Sequence, residues 1–274
     1  AVDQRFLHTD GPFHDGKLTV EQVEAYDWPD GKNPGLTKGV KERVQHIKAN
    51  GDHAVCVYIP GGIIHRGYAM RGFESYLKDL YKRPEALQRM MDKLCDFWCD
   101  NATEMIKAAG PENVDIIYFG EDLGTQDSCM FDPGTIYAEY MKPRHRRMIE
   151  TVKGLTNNKA KVCYHCCGSA YHFIPHLLDV GIDALNPVQV TAKNMEPERL
   201  KEEFGDRLTF WGGINTQETL PFGTPEEVVE ETKRIISILG KGGGYILNSV
   251  HNIQAEVPPE NIVAMFETGV NHRY

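Results

Sequence analysis

In the segment Lys161-Val-Cys-Tyr-His-Cys-Cys-Gly168, sulfur and imidazole recur at the spacing of a β-strand. Strand side chains alternate, so Cys163, His165 and Cys167 face one side while Tyr164 and Cys166 face the other. His165 and Cys167 can therefore converge on one cation. The pair suits zinc, which takes tetrahedral N/S sites and keeps a position open when it is catalytic. The same pattern also describes a buried strand of small apolar cysteines with one hydrogen-bonded histidine. A third candidate ligand is His251, in Ile246-Leu-Asn-Ser-Val-His-Asn-Ile-Gln254. The fourth is Glu121 in Tyr118-Phe-Gly-Glu-Asp-Leu-Gly-Thr-Gln126. Its carboxylate, or that of Asp122, could bind the metal or act as acid/base. The alternative for these two acids is helix capping, or pairing with a basic neighbour such as Arg71.

Positioning such groups requires a scaffold. From Val55 onward, short apolar runs alternate with helical stretches, which is the pattern of strand-helix units around a parallel sheet. The expected strands are Val55 to Ile59, Val114 to Phe119, Lys161 to Cys167, Ala184 to Val188, Leu208 to Ile214 and Tyr245 to Val250. Pro84 to Ala109 reads as a long helix, with Leu87, Met90, Met91, Leu94, Phe97 and Trp98 on its apolar positions. Further helices start at Pro133 behind Asp132 and at Pro225 behind Thr224, where Glu227 completes a capping box. The remaining ones run over Ala170 to Val180, Pro197 to Phe204 and Pro259 to Phe266. The turn Pro60-Gly61-Gly62-Ile63-Ile64-His65 lacks the G-x-G-x-x-G of a dinucleotide-binding sheet. Polar residues instead follow nearly every strand: Glu121 and Asp122, His165 and Cys167, Asn186 and Gln189, Asn215 and Gln217, then His251. That recurrence predicts an α/β fold of the (β/α)8 TIM-barrel type, whose reactive groups gather at the C-terminal strand ends. Six strands are two short of eight, so either residues 1–50, read as an N-terminal arm before a barrel domain over 51–274, hide one, or N-terminal elements are lacking.

Other candidates read as structural. Cys95 and Cys99 share a face of the long helix at core spacing. His172 and His176 lack the Glu of H-E-x-x-H. The run Gly240 to Gly244 precedes a strand, where a phosphate loop would follow one.

Composition narrows the partners. The 274 residues carry 30 Lys and Arg against 39 Asp and Glu, a net charge of −9, which disfavours nucleic acid. No apolar run approaches the roughly 20 residues of a membrane helix, and the N-terminus lacks the layout of a secretory signal. Seven cysteines, an odd number, fit a reduced compartment better than a disulfide framework, and a cytoplasmic location is expected.

Taken together, Tyr164-His-Cys-Cys-Gly-Ser169, Asp183-Ala-Leu-Asn-Pro-Val-Gln189, Leu208-Thr-Phe-Trp-Gly-Gly-Ile-Asn-Thr-Gln217 and Val250-His-Asn-Ile-Gln-Ala-Glu-Val-Pro-Pro-Glu-Asn261 resemble the superfamily of uroporphyrinogen decarboxylase and the zinc-dependent corrinoid methyltransferases. The resemblance runs from about Val55 to the C-terminus and implies a (β/α)8 barrel. The methyltransferase branch carries H-x-C-G, here His165 to Gly168, and a third ligand ahead of a P-x-E-N segment, which falls on His251. That branch usually has Cys there, whereas decarboxylases have a His in a G-H-G-I setting, so this chain mixes the two. The decarboxylase R-Q-A-G-R stretch, which grips substrate carboxylates, is not found.

The resemblance implies a zinc enzyme that moves a methyl group between a small donor or acceptor and a corrinoid held by a partner protein. Zinc would sit on His165, Cys167 and His251, with Glu121 as exchangeable fourth ligand. Asn186, Gln189, Asn215 and Gln217 would position the substrate, or else hydrogen-bond to the turns behind the strands. A tetra-acidic substrate would want a cluster of cations, and the obvious candidates here are Arg71 and His65. The alternative is a uroporphyrinogen decarboxylase-type carboxy-lyase in which His251 and Asp122 handle protons. Family members often pair as homodimers.

Overall fold

The short apolar runs form strands β1 (Cys56–Tyr58), β2 (Ile116–Gly120), β3 (Lys161–His165), β4 (Ala184–Val188), β5 (Thr209–Ile214) and β6 (Tyr245–Ser249). The structure, a computed structural model, describes residues 11–14, 16–59, 62–82 and 84–272. The helices are α1 (Val20–Ala25), α2 (Val40–Ala49), α3 (Ile63–Arg71), α4 (Phe73–Lys82), α5 (Pro84–Ala109), α6 (Lys142–Leu155), α7 (Ile174–Val180), α8 (Pro197–Phe204), α9 (Thr219–Phe222), α10 (Pro225–Leu239) and α11 (Pro259–Asn271). The strands follow chain order in the sheet, β1-β2-β3-β4-β5-β6, and the registered pairs are parallel. This is the α/β class that the alternating pattern predicts. The described residues contain six strands, so the eight-stranded form expected from the recurrence is not what they show. Pro60 and Gly61 of the turn after β1, and residues 1–10 of the expected arm, lie outside the described residues.

The chain divides into two compact units. The first comprises residues 1–121 and 132–162. Its centre is α5, whose Leu87, Met90, Met91, Leu94 and Trp98 are buried as their helical spacing requires. Burying each such side chain is worth about 1.5–3 kcal/mol. Helices α1, α2, α3, α4 and α6 all pack on α5. The segment expected as an N-terminal arm contributes buried Leu18, Val23 and Val44 to this packing. Cys95 and Cys99 are core residues, with Cys95 Sγ against the Arg144 carbonyl. Asp132 caps the next helical segment by accepting from Thr135 N at 2.7 Å, but the first turns, Pro133–Met141, are π-helical before α6 begins.

The second unit comprises residues 122–131 and 163–274. β4 is buried along its whole length, as a strand covered on both faces must be. α10 starts with the expected capping box: Thr224 Oγ1 accepts from Glu227 N, and Thr224 N donates to Glu227 Oε2 at 2.7 Å. Gly242, Gly243 and Gly244, all at positive φ, make the turn from α10 into β6.

Candidate metal centre

His165 ends β3, and Cys167 follows it by two residues on the same side. Cys166 points the opposite way, where it is fully buried and its sulfur accepts from Leu123 N at 3.3 Å. His251 lies two residues beyond β6. The β5–β6 ladder continues through Val250 N, which donates to Ile214 O, and Ser249 Oγ donates to the His251 carbonyl at 2.7 Å. These bonds fix the turn that delivers the second imidazole.

Among the described residues, His165, Cys167 and His251 form a group whose ligand atoms all lie within 4.8 Å of one another. His165 Nε2 is 3.4 Å from Cys167 Sγ, and the two imidazole centroids are 6.0 Å apart. A tetrahedral zinc with bonds of about 2.0–2.3 Å holds neighbouring ligand atoms about 3.3–3.8 Å apart, so the donor set and the measured separation fit that ion. His165 and Cys167 are half-buried and His251 is exposed, which leaves one side open.

The backbone around the sulfur is held from several directions. Asp122 Oδ1 accepts from Cys167 N at 2.8 Å and lies 3.9 Å from His165 Nε2. Gly168 N donates to Gln189 Oε1 at 2.7 Å. Gly168 has φ +77°, and a Cβ there would meet Thr125 O at 2.6 Å, so the H-x-C-G turn requires glycine. Burial, and then the Asp122 carboxylate, push the Cys167 thiol well above its ordinary range. A bound cation opposes both causes and favours the thiolate.

The amides expected to position substrate are engaged with the protein. Asn186 accepts from His165 Nδ1 at 2.8 Å. Gln189 bonds Gly168 N and, through Nε2, Gln126 Oε1. Asn215 Oδ1 accepts from Gln217 N and Glu218 N, closing the turn after β5. Gln217 Oε1 accepts from Thr191 Oγ1. Hydrogen bonding to the turns describes Gln189 at the H-x-C-G turn and Asn215 at the turn after β5, whereas Asn186 reaches the His165 ring and the Trp211 carbonyl within β5.

Two further candidates lie in the first unit. Glu121, expected as an exchangeable ligand, is 1% exposed. One of its oxygens accepts from Ile64 N and His65 N at the start of α3, and the other is 2.9 Å from His145 Nε2. It caps a helix, because a buried carboxylate finds its donors at a helix N-terminus and a neighbouring imidazole. Arg71, expected to meet an acidic substrate, is 2% exposed. Its guanidinium donates to Asp79 and to the carbonyls of Phe13, His14 and Gly16, so it ties the chain together. His145, and Tyr137 whose hydroxyl is 3.2 Å from His145 Nδ1, are not among the candidates the sequence offers. Their only sequence signal was a histidine in the helix after Asp132.

A family model described as "Uroporphyrinogen decarboxylase (URO-D)" matches residues 2–272. A curated uroporphyrinogen decarboxylase from Psychromonas ingrahamii is 26% identical over 196 residues, covering 71% of this chain and 51% of that protein. The chain thus spans about half the length of that relative. Another from Vibrio campbellii is 24% identical over 270 residues, covering 95% of this chain and 71% of its own length. Among solved structures, a methyltransferase from Methanosarcina mazei aligns with TM-score 0.69 at 17% identity, covering 95% of this chain and 70% of its own. That likeness is one of fold. Among the described residues, no helix is long and apolar enough to cross a membrane.

Proposed function

This chain belongs to the uroporphyrinogen decarboxylase family, and we propose that it is a zinc-dependent methyltransferase, passing a methyl group between a small donor or acceptor and a corrinoid on a partner protein in the cytoplasm. The convergence of His165, Cys167 and His251 carries the reading. His165, Cys167 and His251 would hold the ion, and the exposed flank at His251 is where a substrate heteroatom would approach. Bound there, zinc supplies a Lewis acid that lowers the pKa of an acceptor thiol or polarises the heteroatom of a methyl donor. Cys167 must lose its proton to hold the ion, and Asp122, bonded to the same residue's amide, is the base beside it.

A second reading, a carboxy-lyase using His251 and Asp122 as proton carriers, is favoured by the similarity to curated uroporphyrinogen decarboxylases. It would need cations for substrate carboxylates, and Arg71 is committed to the fold. Metal analysis of the purified chain, with the His165→Ala/Cys167→Ala double variant beside it, tests the main reading. Stoichiometric zinc that is lost in the double variant, together with corrinoid-dependent methyl transfer, is the expected result. Unchanged metal content in that variant, or porphyrinogen decarboxylation without metal, would overturn it.

A further inference from the structure

We infer that Asn186 is a positioning residue that fixes the tautomer and ring orientation of His165, so that Nε2 is the nitrogen presented to the cation. The inference rests on the metal-site reading above and adds a residue that neither the motif nor the ligand group contains.

The argument begins with register. β3 and β4 are parallel, and His165 is paired with Asn186 across the ladder, which brings the two side chains side by side on one face. Cys166 N donates to the Asn186 carbonyl at 2.7 Å and locks that register at the ligand-bearing end of β3. Asn186 is 6% exposed, so water is a poor substitute for either of its partners.

The two ends of the amide are then told apart by what they touch. Nδ2 lies 3.3 Å from the Trp211 carbonyl oxygen, which can only accept, so the NH2 group must be at that end. Oδ1 is therefore the atom 2.8 Å from His165 Nδ1. A carbonyl oxygen cannot donate, so the proton of this bond belongs to Nδ1. A neutral imidazole has one N–H, which leaves the lone pair on Nε2, the nitrogen 3.4 Å from Cys167 Sγ. The chain Trp211 carbonyl, Asn186 amide, His165 imidazole thus runs from the β5 backbone to the metal-facing nitrogen. Partners of this kind set ring orientation and ligand basicity, and their loss typically costs about 10–100-fold in metal affinity.

The test compares wild type with Asn186→Leu, which removes the acceptor, and Asn186→Asp, which keeps one. Zinc affinity is read by competition with a chromophoric chelator. The tautomer is read on the metal-free proteins from the 15N shifts of the His165 ring, and thermal unfolding reports whether each variant folds. Asn186→Leu should bind zinc about 10–100-fold more weakly and lose the Nδ1–H signature. Asn186→Asp should keep the proton on Nδ1 and bind zinc at least as tightly as wild type. Should Asn186→Leu fail to fold, the Asp variant and wild type decide the matter: a proton on Nε2 in either overturns the inference. So does a folded Leu variant with wild-type affinity and tautomer. A wild-type chain that takes up no zinc overturns the metal-site reading, and the 15N arm then decides alone whether Asn186 sets the imidazole.

Discussion

His145 Nε2 and Glu121 Oε2 lie 2.9 Å apart with both side chains almost wholly buried. Glu121 also satisfies the first amides of α3, so it is a structural carboxylate of the first unit. Glu121→Ala should leave those amides and the imidazole without an acceptor, lowering stability by about 2–4 kcal/mol in urea titrations. Zinc content should be unchanged. Loss of metal in a folded Glu121→Ala chain would restore Glu121 as a ligand.

Arg71 and Asp79 form a buried ion pair in the same unit, 2.6 Å apart and each 3% exposed. Removing one partner strands the other charge, so Arg71→Met should cost about 3–5 kcal/mol. Arg71→Lys should rescue little of this, because an ammonium cannot span Asp79 and the three carbonyls that the guanidinium reaches. Chemical denaturation of the variants checks both statements.

Asp115 supplies the pH dependence. Its carboxyl is held below the usual range chiefly by the Val55 amide, with Lys48 and Lys159 adding to the effect. A lowered folded-state value means that the contribution is present above the unfolded pKa and is lost as pH falls through the folded one. Because the side chain is 30% exposed, Asp115→Asn should cost only about 1 kcal/mol near neutral pH. The difference from wild type should shrink below about pH 4. A gap that widens on acidification would contradict the assignment.

Gly168→Ala places a methyl against Thr125 O in a left-handed backbone. The turn must shift or strain, at about 1–3 kcal/mol, and the displacement falls on the residue after Cys167. The expected result is a folded chain with weakened zinc binding in the chelator competition. Wild-type affinity would show that the turn does not control the sulfur.

Much of this is legible in the amino-acid sequence. Two-residue alternation put His165 and Cys167 on one side of β3. The apolar run Tyr245 to Val250 made His251 the residue after a strand. Other features escaped for physical reasons. α3 carries apolar residues around its whole circumference, so Ile63 to Arg71 shows no amphipathic contrast, and α4 follows Gly72 without a capping signature. The π-helical start before α6 carries the Asp132 cap and first-turn proline that an α-helix would carry as well. The acids Glu121 and Asp122 stand out because burying carboxylates is costly, but cost alone does not say whether a helix N-terminus or a cation offsets it. The partners of Asn186 and Gln189 lie on other strands and loops, and amides advertise none of them along the chain.

The spacing of the three candidate ligands has a consequence for assembly. His165 and Cys167 are already neighbours once β3 forms, whereas His251 reaches them only after β4, β5 and β6 have paired in turn. A cation captured by all three would clasp the beginning of the second unit to its far edge, offsetting the entropy of closing the long loop between them. Metal supply would then govern how long a nicked or newly made chain survives proteolysis.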